Sequence, residues 1–452
     1  MTFNLNVHNK FGWWRNNPLW LTSIAVSIFL IAAIWLAFAP GFMSYDSYVQ
    51  FQNALTGEYA DNNPVVMAYV WHLLMPSRPG PENMLIFHLS MLFMGILIWC
   101  YNLSKSPLKI LIPCLFFTPW ILNFSGVIWK DIGVALSLFL ASGLIFNKNR
   151  TGALFAIAIP FLFYAESIRY NAILAVAPII FFGIKFIFNK EKIVRFIVPL
   201  FITIITLFVF SFVNSAITYN FLNAKSGHLE VAIMGDEIAV ISSNTGKNLM
   251  PWVKHDDIIE CSKFEIFYER ALCFIHKGYD PSGSLVTNNS VESTHAIWLK
   301  AISSNPALYF KIKVNNFLFF LRSPSLTPYY IWHEGVGENK YSINLLHPKL
   351  AKIIGDYVNV SAAYVPEIFK PYFWLITSLL MLFLSYFDRD KTTKDQIIAL
   401  NCSGLGYFFS YFLVGVSADF RYIYWCIICT SISIVLFLSS LKLKNMITLE
   451  EK

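Results

Sequence analysis

The 452-residue chain is 56% hydrophobic, 17% aromatic and only 13% charged. A composition so poor in charge excludes an ordinary water-surrounded globule, and the solvent must be largely lipid. The formal net charge of +7 is accounted for by short basic loops between apolar runs, and nothing in it points to nucleic acid.

A hydrocarbon core of ~30 Å takes about 20 apolar residues per helical span, because lipid offers no partner to a backbone N–H or C=O. The first such run is Leu19 to Ala39. Ala37-Phe38-Ala39 behind a basic leader imitates a signal-peptide cleavage site, but the run is longer than the usual apolar region of such a peptide and reads as a retained span. Pro40 to Glu82 is a short exterior segment dense in polar chemistry. Weaker spans follow at Asn83 to Tyr101, Ile110 to Leu122, Ile132 to Phe146, Ala153 to Ala165 and Ala172 to Phe188. Those starting at Ile110, Ile132 and Ala153 are short, and need flanking residues or a locally thinned bilayer. Phe196 to Thr218 is a clear span.

Tyr219 to Val365 is long, polar and without a convincing span, and is expected to fold as an exterior domain of α or α+β type. Apolar alternation in His228 to Met234 and helical patterns around Phe264 to Ile275 and His295 to Ile302 support order there. Phe310 to Leu321 is apolar and aromatic but interrupted by Lys311, Lys313 and Asn316, so it is expected on or against the membrane surface. Three clear spans close the chain, at Pro371 to Phe387, Gln396 to Ala418 and Tyr422 to Leu441. The expectation is an all-α polytopic transmembrane bundle of about ten spans. Residues 1–218 form an N-terminal membrane module, 219–365 the exterior domain and 366–452 the C-terminal membrane helices.

Lysine and arginine keep short loops in the cytoplasm. One orientation satisfies nearly all of them: Lys10 and Arg15, Lys105 and Lys109, Lys148 and Arg150, Lys190, Lys192 and Arg195, Arg389, Lys391 and Lys394, and Lys442 and Lys444 all fall inside, with both termini. Cys100, Cys114, Cys402, Cys426 and Cys429 lie in or near spans as small apolar packers. Cys261 and Cys273 fall outside, where an oxidising compartment permits a disulfide between them. Neither Cys261 nor Cys273 has a partner cysteine or histidine at zinc-ligand spacing, and no metal site is expected.

The same orientation gathers Asp46, Asp61, Lys130, Asp131, Glu166, Arg169, Asp419 and Arg421 at the outer ends of spans. Charges beside lipid are costly unless paired or solvated, so each needs a reason. Asp46 is a candidate general base, although it or Ser47 could equally cap a helix over Tyr48 to Leu55. Asp61-Asn-Asn-Pro64 also reads as a turn. Asp131 could cap the helix it opens, with Lys130 paired to Asp131 or Glu166. Lys130, Arg169 and Arg421 break the positive-inside trend, which a phosphate ligand or ion pairing would explain.

Asp46-Ser47 with Gln50, Gly57 to Pro64 ahead of Tyr69-Val-Trp71, Trp129-Lys130-Asp131, Glu166-Ser-Ile-Arg169-Tyr-Asn171 and Ala418-Asp419-Phe-Arg421-Tyr422 occur in that order. Together they resemble the GT-C superfamily of multi-spanning bacterial glycosyltransferases, including relatives of the O-antigen glucosyltransferases. The resemblance covers about Pro40 to Lys190 and the last two spans. Where similar proteins often carry histidine before proline, this chain has Asn63-Pro64, which removes a histidine role at that place.

The resemblance implies an enzyme of the bacterial inner membrane with an extracytoplasmic site, inverting, and using a polyprenyl-phosphate sugar as donor rather than a resident cofactor; a divalent ion stays compatible with that chemistry. The acceptor would be a cell-envelope glycan or glycolipid. Asp46 would act as general base, Lys130, Arg169 and Arg421 would bind the donor phosphate, and Asp61, Asp131, Glu166 and Asp419 would support them. The rival readings are a polysaccharide polymerase or ligase, and a lipid-linked sugar transporter or flippase. Against transport, the charges cluster at one face rather than mid-bilayer, and no inverted repeat is visible. His228, Asp236, Glu237, Trp252, His255, Trp298, Arg322 and Trp332 are candidate sugar contacts of the exterior domain, each more often an ordinary surface or core residue.

Overall fold

The computed structural model describes residues 18–75, 79–104, 106–149, 151–187, 194–279 and 291–450. Lys10, Arg15, Lys105, Arg150, Lys190 and Lys192, used above for orientation, lie outside these, as do the side chains of Arg195, Lys442 and Lys444. Helices dominate, and among the described residues no strand forms, only isolated bridges such as Phe42 with Val127 and Met43 with Val336.

The chain opens with α1 (Pro18–Phe38), α2 (Tyr45–Thr56), α3 (Val65–Leu73) and α4 (Glu82–Asn102). Two short pieces, α5 (Leu111–Leu115) and α6 (Pro119–Leu122), precede α7 (Lys130–Ile145), α8 (Gly152–Ile168), α9 (Ile173–Ile187) and α10 (Val194–Ser215). The intervening region carries α11 (Leu229–Thr245), α12 (His255–Cys261), α13 (Phe267–His276), α14 (Val291–Ser304), α15 (Pro306–Leu321) and α16 (Pro348–Tyr364). The chain ends with α17 (Pro371–Tyr386), α18 (Lys391–Val414) and α19 (Tyr424–Glu450).

Five stretches are helical, long and apolar enough to cross a membrane, Pro18–Phe38, Glu82–Asn102, Phe196–Phe221, Lys391–Val414 and Phe420–Leu441, and shorter apolar helices accompany them. The apolar surface they present is that of an integral membrane protein. On α10, Phe208 is 73% and Phe212 66% exposed, an arrangement that a lipid surround makes favourable. At the other extreme, every residue of α7 from Asp131 to Ile145 is buried. A helix apolar on all sides sits at the centre, and α7 packs on α4, α8 and α19.

The expected helix over Ile110 to Leu122 is corrected. The chain there runs from Ser106, which meets Ser439 of α19 at 3.0 Å, to Asn123, which reaches the Ile331 carbonyl at 2.9 Å, in a 3₁₀ turn (Pro107–Ile110) and the two short helices. Pro113 and Pro119 each lack the N–H that a continuous helix needs. Broken backbone at such depth is tolerated where protein covers it, and Ile112, Phe116, Ile121, Leu122 and Phe124 are all buried.

Packing of the last helices uses polar links inside the bundle. Asn401 of α18 accepts from Ser378 of α17 and donates to Ser433 of α19, both at 2.8 Å, tying three helices at one point. A Cβ on Gly406 would collide with the Leu174 carbonyl, so α9 and α18 approach closely at a residue without a side chain.

The region between α10 and α17 has its own small cores, one of Ile238, Ala239, Met250, Val253, Ile258, Cys261 and Phe274, another of Val240, Ile241, Ala301 and Ile312. His228 to Met234, read as alternating, belongs instead to the entry of helix α11. Cys261 and Cys273 are joined in a disulfide. Phe310 to Leu321 forms most of α15 and lies on α18, with Phe317 against Phe408, Phe409 and Phe412.

Candidate active site

Four segments far apart in sequence meet at one end of the bundle, held by backbone hydrogen bonds. Phe42 N–H donates to Gly126 O (3.1 Å) and Ile128 N–H to Phe42 O (2.9 Å), joining the start of α2 to the start of α7. Met43 N–H donates to Gly335 O (3.0 Å) and Phe420 N–H to Tyr329 O (3.3 Å), so the loop over residues 329–336 bridges the segments that carry Asp46 and Arg421. Gly41, at φ +123° and with Ile128 where a Cβ would stand, allows the first crossing.

Asp46 is not a cap. The N-cap of α2 is Ser44, whose N–H donates to Ser47 Oγ at 3.3 Å, and Ser47 Oγ in turn donates to the Ile128 carbonyl at 2.6 Å. Trp129 Nε1 donates to Ser44 Oγ at 2.8 Å, fixing the turn from the α7 side. Asp46 is therefore released from capping duty in the first turn of α2, and its carboxylate has no hydrogen-bond or ion-pair partner among the described residues. As an anion in a helix's first turn it is also favoured by the helix dipole.

Asp131 does not cap α7 either; Trp129 occupies that place. Its Oδ1 accepts from Arg169 Nε (2.9 Å) and Arg169 Nη2 (2.6 Å), and from the hydroxyls of Tyr407 (3.1 Å) and Tyr411 (3.3 Å). Arg169 caps the end of α8 in extended conformation, and its guanidinium carbon lies 5.1 Å from the Tyr422 ring and 5.8 Å from the Tyr411 ring. Arg421 Nε donates to Asp419 Oδ2 at 2.9 Å, Asp419 Oδ1 takes Ser417 Oγ at 2.7 Å, and the Arg421 guanidinium stacks 4.3 Å from the Trp129 ring. Both arginines are thus clamped by one carboxylate and aromatic faces.

Lys130 differs. The expected pairing with Asp131 or Glu166 is absent, because Asp131 is taken by Arg169 and Glu166 by Ser211 (3.0 Å). Lys130 has Asp46, Asp131, Arg169 and Arg421 as charged neighbours, and its Nζ has no hydrogen-bond or ion-pair partner among the described residues. The site therefore holds an unpartnered ammonium and an unpartnered carboxylate, backed by two fixed guanidinium groups.

Asp61 and Glu166 do not join this cluster. Asp61 accepts from Gly227 N (2.6 Å), Tyr219 (2.6 Å) and Ser226 (3.3 Å). It anchors the chain just beyond α10, and Glu166 likewise faces α10 through Ser211. Of the exterior sugar-contact candidates, Asp236 is bound to Arg270 (2.6 and 2.8 Å) and Glu237 to Trp298 (2.6 Å) and Lys313. His228 pairs with Glu230 at 3.2 Å. Arg322 is turned to the Thr327 carbonyl at 2.9 Å, and Trp332 packs on Phe38 and Phe42. Trp252 belongs to the edge of a small core, and His255 has a buried ring nitrogen without a partner.

Tyr330 and His333 escaped sequence reasoning. The Tyr330 hydroxyl lies 2.9 Å from His333 Nδ1, and His333 packs on Trp129 with ring centroids 5.1 Å apart. Burial holds the His333 imidazole below its ordinary range. Burial also raises the Tyr330 phenol, with Arg421 opposing and Asp419, Tyr268 and Asp46 adding to the shift. Two aromatic residues three apart in a loop give no periodic signal, and only the fold reveals what they face. Among the described residues no group of three or more His, Cys, Asp or Glu side chains is disposed to hold a metal ion. Family models, curated proteins and solved structures offer no match to this chain.

Proposed function

We propose that this chain is a membrane glycosyltransferase of GT-C type, crossing the bacterial inner membrane about ten times with both termini in the cytoplasm. It moves a sugar from a polyprenyl-phosphate carrier to a cell-envelope glycan or glycolipid on the extracytoplasmic side. The observation that carries the reading is the meeting of Asp46, Lys130, Arg169 and Arg421 at one end of the bundle, with Asp46 and Lys130 unpartnered.

Partly buried charges without partners are costly, and a site that keeps them is suited to a ligand that brings the missing charge. A phosphate monoanion or dianion fits Lys130 and the free terminal nitrogens of Arg421, with Arg169 adding positive potential behind them. Asp46 takes the proton from the acceptor hydroxyl as that oxygen bonds to the anomeric carbon. The bond from the anomeric carbon to the phosphate oxygen breaks, and the electron pair leaves with the lipid phosphate. Attack opposite the leaving group inverts the anomeric centre. The charge that develops on the phosphate is met by cations already in place, which is where preorganised electrostatics contribute most. Base catalysis of this kind is typically worth ~10²- to 10⁴-fold.

Membranes carrying the wild-type protein are expected to transfer label from a polyprenyl-phosphate sugar, and Asp46→Asn to lose at least ~100-fold of that rate while still binding donor. Equal transfer by Asp46→Asn would exclude Asp46 as base.

A further inference from the structure

The loop over residues 329–336 is bonded at both ends to the reacting segments. Tyr329 O receives Phe420 N–H, one residue before Arg421, and Gly335 O receives Met43 N–H, three before Asp46. Residues 330–334 are therefore held across the gap between base and cation. Two of them, Tyr330 and His333, pack their rings on Trp129, with centroids 5.9 and 5.1 Å away, and meet each other at 2.9 Å. Arg421, Asp419 and Asp46 all act electrostatically on Tyr330, and Arg421 on His333. Tyr330 adopts φ +48°, a left-handed conformation unfavourable for a bulky side chain and kept where surrounding structure enforces it, commonly at functional sites. His333 is packed on Trp129, whose indole N–H holds Ser44, the cap of the helix that presents Asp46. Base, loop and cation are thus one mechanical unit.

Resting on the glycosyltransferase reading, we propose that Tyr330 binds the acceptor hydroxyl beside Asp46 and that His333 is the positioning residue that aims the Tyr330 phenol. The lipid-linked donor reaches the cluster from between the membrane helices, while the acceptor is a polar glycan arriving from the exterior, and the exterior cover beside Asp46 is this loop. Tyr330 is 40% exposed, so its phenol is both within the cluster's field and open to an incoming sugar. In the tautomer with the imidazole proton on Nδ1, which this role requires, His333 donates to the phenol oxygen 2.9 Å away and leaves the phenol hydrogen for the acceptor. Chained hydrogen bonds of this kind strengthen one another.

The test supplies purified full-length protein with a sugar-labelled polyprenyl phosphate and lets two acceptors compete. One is water, giving free sugar, and the other is envelope glycan extracted from cells that lack the protein. Tyr330→Phe is expected to lower the glycan-to-water transfer ratio about tenfold, the effect of one well-made hydrogen bond, with the donor KM unchanged. His333→Ala is expected to act in the same direction, and His333→Asn, which can still bond the phenol, to recover most of the loss. An unchanged glycan-to-water ratio in Tyr330→Phe, with active wild type, overturns the inference and leaves the transferase reading standing. Wild-type protein that consumes no donor removes both. Tyr330→Phe keeps the ring and decides the matter alone should His333→Ala fail to fold.

Discussion

Asp131→Asn removes one negative charge from the best-connected group of the site. The carboxylate is fully buried and takes four hydrogen bonds on a single oxygen, two from Arg169 and one each from Tyr407 and Tyr411. Replacing it leaves a guanidinium without its counter-charge, a change that costs about 3–5 kcal/mol when the partner is buried. The Arg169 side chain retains 17% exposure, and water there screens part of the loss, so the lower end, about 3 kcal/mol, is expected. Tyr407→Phe removes one neutral donor and is expected to cost about 1 kcal/mol. Denaturation of the purified protein in one detergent, with wild type and both variants compared, reads the difference. Asp131→Asn within about 0.5 kcal/mol of wild type, the scatter of inert substitutions, would refute the claim that Asp131 holds Arg169. In that case the arginine's geometry would have to come from Tyr411 and Tyr422 alone.

Arg169→Ala is expected to weaken binding of a polyprenyl phosphate as well as turnover, measured by direct titration, whereas Asp61→Asn leaves that binding within about twofold, since Asp61 is engaged with Tyr219 and Gly227 and not with the cations. In the region between α10 and α17, Asp236→Ala strands Arg270, whose side chain is 4% exposed, and is expected to lower that region's stability by about 3–5 kcal/mol in protease-resistance assays. Reduction of Cys261–Cys273 opens a loop of sequence separation 12, and a loss of about 3 kcal/mol is expected from the chain entropy regained on unfolding. For His333 the sign follows from its lowered value. As pH falls through the ordinary 6.5, the unfolded chain binds a proton before the folded one does, so wild type loses stability in that window and His333→Asn does not.

Which charged residues share one end of the bundle was largely legible and their angular position was not. Positive charge in the short loops suggested grouping these span ends together, and Asp46, Lys130, Arg169 and Arg421 do converge. Asp61 and Glu166 sit at the same end by the same logic, yet they turn toward α10 and the chain that follows it, because hydropathy gives no information on the order of helices around a bundle. Ile110 to Leu122 was apolar enough to be read as a helix, and the two prolines that break it were outweighed by hydropathy. Tyr330 and His333 were invisible for another reason. Their role depends on two backbone hydrogen bonds to segments about a hundred or several hundred residues away, and no local pattern encodes such a pairing.

The account requires that this cluster open to the extracytoplasmic side. Tyr45, 81% exposed and adjacent to Asp46, can be replaced by cysteine and compared with cysteine at Lys394, in the segment opening α18 at the bundle's opposite end. In intact cells with outer-membrane access, a membrane-impermeant maleimide is expected to label Tyr45→Cys at once and Lys394→Cys only after the inner membrane is breached. Labelling in the reverse order would place the reacting groups in the cytosol and contradict the proposal.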